Sequence, residues 1–247
     1  LGENSYTEKL GDLNDLYISD LQTKLAKELA ATGKPVILIL NEGRPRIISN
    51  FEQEMDAVVQ TYLPGNFGGD ALADILFGDI NPSGKLPYTY PRYPNALIPY
   101  IHKPSEEQTK AEGVYNYEAD FNPQYPFGFG LSYTDFEVSD LQIDKSEITQ
   151  NDTFTVSVKV SNTGSRSGKE VIEVYSSDLY SSEITPDVKR LRKFKKLELA
   201  PGETKTIEFN FNTSVLASVN AQGETIAEPG EFEISVNYLK KSIHLKK

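Results

Sequence analysis

Glycine and proline are unusually dense in the stretch from Pro64 to Pro91. This stretch reads PGNFGGDALADILFGDINPSGKLPYTYP, and a second glycine-rich stretch, YPFGFGLSYT, follows at Tyr125–Thr134. The first stretch follows the apolar run Ala57–Leu63, crosses a glycine-rich turn and enters a short helical pattern at Asp70–Phe77. Glycine allows a positive φ or a close backbone approach in such a turn, and Asp70 is placed to cap the helix. The pattern therefore predicts a strand, a tight loop and a helix in succession.

Helices and strands alternate through the first hundred residues. The segment DLQTKLAKELAA at Asp20–Ala31 places leucines on one helical face; these are Leu21, Leu25 and Leu29. The segment PVILIL at Pro35–Leu40 is a continuous apolar run, as expected for a parallel strand covered on both sides. A helical region is expected around Ile47–Met55. This alternation predicts a doubly wound, mostly parallel sheet over residues 1–134, interrupted by a long irregular loop at residues 102–124.

From Asp135 onward the sequence has the texture of an all-β domain. TFTVSVKV at Thr153–Val160 alternates strictly between apolar and polar residues, as a half-buried strand does. Further strand candidates are Lys169–Tyr175, Lys193–Leu199, Thr204–Phe211 and Gly230–Tyr238. Several short strands separated by turns predict an antiparallel β-sandwich over residues 135–247.

The amino-acid composition argues against several classes of function. The chain has 247 residues and a net charge of −11, so the clustered positive charge that nucleic-acid binding needs is not expected. No run approaches the length of a membrane span. There are no cysteines and only two histidines, His102 and His244, which are far apart in sequence. We therefore expect no nucleic-acid partner, no membrane partner, no metal site and no cofactor.

Two long motifs identify a family resemblance. The first, GDINPSGKLPYTYP at Gly78–Pro91, and the second, FGFGLSYT at Phe127–Thr134, resemble motifs of family 3 glycoside hydrolases of the β-glucosidase type. The second half of the chain is similar to the fibronectin type III-like domain that ends many of these enzymes. The residues that carry this second likeness are Val160–Val171, Leu199–Glu203 and Pro229–Ile234. The resemblance implies that the chain is the C-terminal part of such an enzyme.

The resemblance also implies a catalytic residue, Glu8. In the similar subgroup the loop that bears the general acid/base reads G-E-x-x-Y-T-E-x-x-G-D, which matches Gly2–Asp12 of this chain. Retaining glycosidases use two carboxyl groups roughly 5–5.5 Å apart, a nucleophile and an acid/base. The family's nucleophile is an Asp on an N-terminal (β/α)8 barrel, which is thus the expected partner. The alternative interpretation of Glu8 is an ordinary solvated carboxylate.

Three further positions are expected to be structural, with substrate contact as the alternative for Asp12 and Arg44. Glu3 follows directly on the presumed strand, and we favour a hydrogen-bonding role for it over an acid role. Asp12 is suited to accepting backbone bonds that hold the loop. Arg44, in the strand-end sequence Asn41–Pro45, is suited to pairing with an acidic group and pinning a loop.

The tyrosines of the long loop are weak candidates for substrate binding. Tyr115 and Tyr117, with Phe121 and Tyr125, could stack on the apolar face of a sugar. Burial of the loop against the barrel or a second subunit is the favoured alternative, so a homodimer is a further candidate assembly. The glycine-rich turn at Gly65–Gly69 lacks a nucleotide-binding pattern.

The opening residues carry neither an initiator methionine nor the pattern of a signal peptide. We expect a fragment of a longer enzyme that is secreted or periplasmic. The leading hypothesis is a part of a retaining, exo-acting β-glucosidase that releases β-linked glucose from non-reducing ends. The alternatives are a non-catalytic structural or carbohydrate-binding module, and a family 3 β-xylosidase or N-acetylglucosaminidase.

Overall fold

The structure is a computed structural model that describes residues 1–3, 13–94, 99–106, 122–182 and 184–247. It divides into two compact units. The first unit comprises Leu1–Ile80, Leu86–Ile98 and Asn122–Phe129, and the second comprises Asn81–Lys85, Pro99–Phe121 and Gly130–Lys247. Within the described ranges, no helix is both long enough and apolar enough to cross a membrane.

The first unit combines helices with a small parallel sheet. Its elements are helix α1 (Asp20–Ala30), strand β1 (Ile37–Leu40), a 3₁₀ turn (Glu52–Glu54), strand β2 (Ala57–Gln60) and helix α2 (Gly68–Phe77). Strands β1 and β2 pair in parallel with Ile37 opposite Ala57, so the parallel pairing predicted from the two apolar runs is confirmed. Two paired strands do not by themselves define the doubly wound layout.

The leucine face of α1 does not pack as the helical pattern suggests. Leu21, Leu25 and Leu29 are exposed, whereas Ala26 is buried in the core of the first unit. That core also contains Leu38, Leu40, Ile48, Phe51 and Tyr90. The helix therefore approaches its own unit through a small side chain, and the i, i+4, i+8 leucine row lies on another side of the helix.

Two local predictions in this unit need correction. The short helical region expected around Ile47–Met55 is confined to the 3₁₀ turn at Glu52–Glu54, whereas Ile47 forms a parallel bridge with Tyr17 and its β-branched side chain is fully buried. Helix α2 begins at Gly68 after an N-cap at Phe67, with no side-chain capping bond. Asp70 therefore lies inside the first turn, where a carboxylate still interacts favourably with the helix dipole.

The second unit contains two larger sheets that share one hydrophobic core, and a separate two-stranded antiparallel ribbon. Its strands are β3 (Phe136–Ile143), β4 (Glu147–Ile148), β5 (Thr153–Asn162), β6 (Gly168–Asp178), β7 (Arg190–Leu199), β8 (Thr204–Asn212), β9 (Ser218–Val219), β10 (Thr225–Ile226), β11 (Gly230–Val236) and β12 (Leu239–Leu245). One sheet has the order β4-β12-β11-β6-β7 and the other has the order β3-β5-β8. All described pairings in them are antiparallel except β12 with β4.

Alternation explains why these strands form. In β5 every second side chain, from Phe154 to Val160, is buried, and the same core contains Val174, Phe209 and Phe232. The predicted strand Gly230–Tyr238 is too long, because Asn237 takes a φ of 52° and the chain turns there into β12. The hairpin register places Val236 opposite Leu239, which is the two-residue loop that suits a twisted strand pair.

Candidate active-site anchor

The first three residues run beside β1. The amino group of Leu1 donates to the carbonyl of Ile39 at 2.8 Å, and the amide of Asn41 donates back to the carbonyl of Leu1 at 2.8 Å. The amide of Glu3 then donates to the carbonyl of Asn41 at 3.1 Å, and Gly2 forms a parallel bridge with Asn41. Glu3 therefore lies at the carboxyl edge of β1, which is the edge where parallel sheets place their ligands.

Glu3 is the acceptor at the centre of a buried ion-pair cluster. Its side chain is only 2% exposed. The Oε1 atom accepts from Nη2 of Arg44 at 2.9 Å, Nε of Arg44 at 3.1 Å and Nη1 of Arg46 at 3.3 Å. The Oε2 atom accepts from the backbone amide of Arg44 at 3.1 Å. Both the predicted carboxylate partner for Arg44 and the predicted bond from Glu3 to a loop N–H are confirmed.

The two arginines decide the charge state of Glu3. Burial acts to raise the pKa of Glu3, but the hydrogen bonds and positive charge of Arg44, with the bond from Arg46, outweigh burial and lower that pKa. Arg46 is itself fixed by backbone carbonyls, with Nε donating to Leu16 and Nη2 donating to Asp15 and Tyr17. Glu3 is thus held as an anion in a rigid frame, which is unsuited to donating a proton.

A second carboxyl group lies close by in a different chemical state. Glu42 follows β1 by two residues and is completely buried. Its Oε1 atom lies 2.7 Å from the hydroxyl oxygen of Tyr90, whereas its Oε2 atom has no hydrogen-bond partner among the described residues. Burial raises the pKa of Glu42 to about 7, and the charge of Glu3 adds to this, against the lowering effects of Tyr90 and Arg46.

An aromatic cluster adjoins this carboxyl group through Tyr90. The ring of Tyr90 packs against those of Tyr88 and Tyr125, with centroid distances of 6.1 Å and 5.9 Å, and Tyr125 stacks on Phe129 with a centroid distance of 5.1 Å. The hydroxyl of Tyr125 donates to Glu52. Among the loop aromatics considered as sugar-binding candidates, Tyr125 is therefore engaged in packing within its own unit.

The two glycine-rich motifs supply a structural clasp rather than catalytic groups. The Oδ1 atom of Asn81 accepts from the amide of Tyr133 at 2.8 Å and from Oγ of Ser132 at 3.0 Å. Nζ of Lys85 donates to the carbonyl of Gly130 at 2.7 Å and pairs with Glu170 at 2.9 Å. Asn81 and Lys85 of the first motif thus hold the backbone of the second motif.

Several predicted residues lie outside the part of the chain that the structure describes: Glu8, Asp12, Tyr115, Tyr117 and Phe121. In the described residues, no group of three His, Asp or Glu side chains is arranged to hold a metal ion.

Sequence reasoning missed Glu42, Arg46 and Tyr90. A charged residue placed two positions after the apolar run Ile37–Leu40 was the available signal for Glu42. Nothing local in the sequence links it to Tyr90, which lies 48 residues further along the chain.

Comparison with known proteins agrees with the two halves of the chain. Residues 1–133 match the glycosyl hydrolase family 3 C-terminal domain, and residues 170–238 match a fibronectin type III-like domain. The chain is 41% identical over 229 residues to a periplasmic β-glucosidase of Salmonella typhimurium, covering 90% of this chain and 30% of that protein. It is 39% identical over 237 residues to a β-xylosidase of Formosa agariphila, covering 96% of this chain and 32% of that protein.

A solved structure shows the same fold over the full chain. The β-glucosidase from Listeria innocua, in complex with glucose, superposes with a TM-score of 0.91 at 31% identity, covering 100% of this chain and 36% of that one. The chain spans about a third of the length of these relatives. Its first half matches the C-terminal domain over 133 residues, more than half of the sequence. The chain therefore belongs to glycoside hydrolase family 3, and it corresponds to the C-terminal portion of such an enzyme.

Proposed function

We propose that this chain is part of a retaining, exo-acting β-glucosidase that removes β-linked glucose from the non-reducing ends of glucosides and oligosaccharides. In this proposal Glu8 is the general acid/base, and an N-terminal (β/α)8 barrel in the complete enzyme carries the Asp nucleophile. The similar β-glucosidases of Salmonella typhimurium and Listeria innocua support the reaction class.

The observation that carries the proposal is the anchoring of Glu3. The two arginines and the backbone amide of Arg44 fix Glu3 at the carboxyl edge of β1, and residues 4–12 follow directly in the chain. A firmly fixed strand end is the base that a catalytic loop needs, because a displacement of about 1 Å can cost about a hundredfold in rate. Three side-chain N–H groups of the two arginines hold Glu3 as an anion. Glu3 therefore positions the loop, and Glu8 transfers the proton.

The chemistry assigned to Glu8 has two steps. In the first step the nucleophile attacks the anomeric carbon while Glu8 donates its proton to the departing glycosidic oxygen. In the second step Glu8, now a carboxylate, removes a proton from the water that hydrolyses the glycosyl-enzyme. Retention requires the two carboxyl groups to lie roughly 5–5.5 Å apart, so this chain without the barrel should hydrolyse no aryl β-glucoside.

The proposal extends to the architecture and location of the enzyme. We infer that β1 and β2 belong to a doubly wound, mostly parallel sheet over residues 1–134, and that a fibronectin type III-like sandwich occupies residues 135–247. The name of the periplasmic relative supports a secreted or periplasmic location. Tyr115 and Tyr117 remain weak candidates for sugar contact.

A β-xylosidase is the second candidate function. Its support is specific, because the Formosa agariphila relative with that name is 39% identical across 96% of this chain. The residues that choose between a glucoside and a xyloside are expected on the barrel. Parallel assays of the complete enzyme on aryl β-glucoside and aryl β-xyloside decide between the two.

The test of the acid/base assignment uses the complete enzyme carrying Glu8→Gln. General acid catalysis is worth about 10²–10⁴-fold, so glycosylation should slow by that factor with a poor leaving group and far less with a good one. The matched control is Glu3→Gln, which should slow both kinds of substrate alike because Glu3 donates no proton. If Glu8→Gln retains the wild-type rate on poor leaving groups, Glu8 is not the acid and the proposal fails.

A further inference from the structure

The hydroxyl group of Tyr90 lies between two oxygen atoms that compete for one proton. Its oxygen is 2.6 Å from the carbonyl oxygen of Arg46 and 2.7 Å from Oε1 of Glu42. Each distance is that of an O–H···O hydrogen bond, so each contact needs a hydrogen between the oxygens. A carbonyl carries no proton, so the Tyr90 hydrogen must point at Arg46. The hydrogen in the second contact must then belong to Glu42.

The surroundings of Glu42 support the same protonation state. The side chain is fully buried; its Oε1 atom accepts one further, long bond of 3.4 Å from the backbone amide of Arg46, and its Oε2 atom has no donor among the described residues. A buried carboxylate with a bare oxygen is far more costly than a neutral acid with an unpaired carbonyl. The positively charged side chain of Arg46 does not neutralise Glu42 directly, because its described bonds go to Glu3 and to three backbone carbonyls.

We propose that Glu42 is a positioning residue that works in its protonated form: it donates to Tyr90, Tyr90 donates to the carbonyl of Arg46, and Arg46 holds Glu3. This chain of hydrogen bonds, called the relay below, fixes the backbone carbonyl of Arg46, while the guanidinium of Arg46 holds Glu3. Glu3 with Arg44 and Arg46 is called the anchor below. It goes beyond the proposed acid/base role of Glu8, and its effect on catalysis rests on that role.

Loss of the Glu42 proton reverses the direction of the hydrogen bond between Glu42 and Tyr90. Tyr90 has a single proton and donates it to the carboxylate, so the carbonyl of Arg46 loses its donor. A second negative charge also appears near Glu3. Among the described residues, the other groups that act on Glu42 are Arg46, whose positive charge lowers the pKa of Glu42, and Tyr88 and Tyr90, whose own pKa values are raised by burial and by Glu42 so that both stay neutral. The anchor is therefore expected to loosen as the pH rises through about 7.

The experiment is a pH titration of this chain by NMR, with carbon-13 in the glutamate side chains and nitrogen-15 in the backbone. The carboxyl signal that Glu42→Gln removes should titrate with a midpoint near 7. The amide signals of Glu3, Arg44 and Arg46 should shift with that same midpoint. In Glu42→Gln these amides should not respond, because the glutamine amide still donates to Tyr90 at every pH. A midpoint near the ordinary glutamate value of about 4.5 overturns the proposal, as does a titration that the three amides do not follow.

The matched control is a second tyrosine–glutamate pair in the same unit. The hydroxyl of Tyr125 donates to Oε1 of Glu52, and Nε2 of Gln124 donates to Oε2 at 2.9 Å, so this carboxylate is served by two donors. Glu52→Gln should leave the neutral-pH step of the three amides in place. If Glu52→Gln abolishes that step, the relay through Glu42 is wrong.

A kinetic measurement on the complete enzyme tests the positioning role. If Glu42 acts through the anchor, Glu42→Gln shifts the alkaline limb of the kcat profile to higher pH. An unchanged alkaline limb refutes the positioning role even when the NMR step is present. Absence of any glycosidase activity would instead refute the proposed function, while the NMR titration decides the relay without reference to activity.

Discussion

At the residue scale, two neighbouring glutamates show how partners decide charge. Glu3 is buried against two arginines and has a lowered pKa, whereas Glu42 is buried against a tyrosine and has a pKa raised to about 7. A carboxylate partner for Arg44 was anticipated from the strand-end motif, but the sequence did not identify Glu3 as that partner. The state of Glu42 could not be anticipated, because it depends on Tyr90 and on a carbonyl oxygen that sequence patterns do not locate.

The ion-pair cluster around Glu3 should contribute far more to stability than a surface pair. Glu3→Gln leaves Arg44 and Arg46 without their shared carboxylate, and breaking a buried pair typically costs about 3–5 kcal/mol. Because Arg44 is one-third exposed, we expect the lower end, about 3 kcal/mol, in urea denaturation at neutral pH. The control is Lys27→Gln, which removes a half-exposed pair with Glu54 and should cost less than about 1 kcal/mol. Equal losses in the two variants would contradict a buried anchor.

The raised pKa of Glu42 predicts a sign for the pH dependence of stability. The folded chain binds this proton up to about pH 7, whereas the unfolded chain releases it near 4.5. As the pH rises between those two values, the free energy of unfolding should therefore fall by about 3 kcal/mol, as expected for a pKa shift of this size. Above about pH 7 it should level off. Glu42→Gln should abolish this contribution and become more stable than the wild type above about pH 7. Urea denaturation across the pH range checks this, and a variant that loses stability as steeply as the wild type would contradict it.

At the element scale, alternation was a good guide to the central strands and a poor one to the interrupted ones. Strand β5 was predicted nearly to its ends because every second residue is apolar. Strand β3 was missed because Asp140 takes a φ of 54° and the register shifts between Ser139 and Gln142, which breaks the alternation. Strand β12 was missed because its central positions are polar and exposed.

The leucine row of α1 shows the opposite failure. The pattern of Leu21, Leu25 and Leu29 is that of a packed helical face, yet these side chains are exposed within the described residues. Periodicity identifies an apolar face and says nothing about which surface covers it.

The clasp between the two glycine-rich motifs gives a steric prediction. A Cβ on Gly130 would lie 2.2 Å from the carbonyl oxygen of Gly84, so one backbone would have to move. We expect Gly130→Ala to cost about 1–3 kcal/mol in the free energy of unfolding, as overpacking does. The matched control is Gly84→Ala, whose Cβ meets no atom within 4 Å and should be nearly neutral. If Gly130→Ala is as well tolerated as Gly84→Ala, the clasp is not formed as described.

At the scale of the whole molecule, the second unit has a core of its own and should fold apart from the first. The hydroxyl of Thr134 donates to the buried Oδ1 of Asn162 at 2.7 Å. A fragment of residues 130–247 should therefore unfold cooperatively and be more stable than residues 135–247 by about 1 kcal/mol, the usual worth of one such bond. Urea denaturation with circular dichroism measures both, and an unfolded longer fragment would show that the sandwich depends on the rest of the chain.

Family membership was predictable at this scale because two long motifs lie in a fixed order. Asn81 and Lys85 of the first motif bind the second motif around Gly130–Tyr133, and Tyr90 of the first motif contacts Glu42 and Arg46. The motifs thus identify the scaffold, and the assignment of chemistry rests on Glu8 and on the anchor beside it.

The central claim is that Glu8 is the acid/base of a retaining β-glycosidase, and azide rescue tests it most directly. In the complete enzyme carrying Glu8→Gln, the glycosyl-enzyme should accumulate on a substrate with a good leaving group, because no base activates water. Azide needs no base, so it should restore turnover and give a β-glycosyl azide, identified by NMR. Failure of azide to accelerate turnover, or an α-glycosyl azide as the product, would contradict the account.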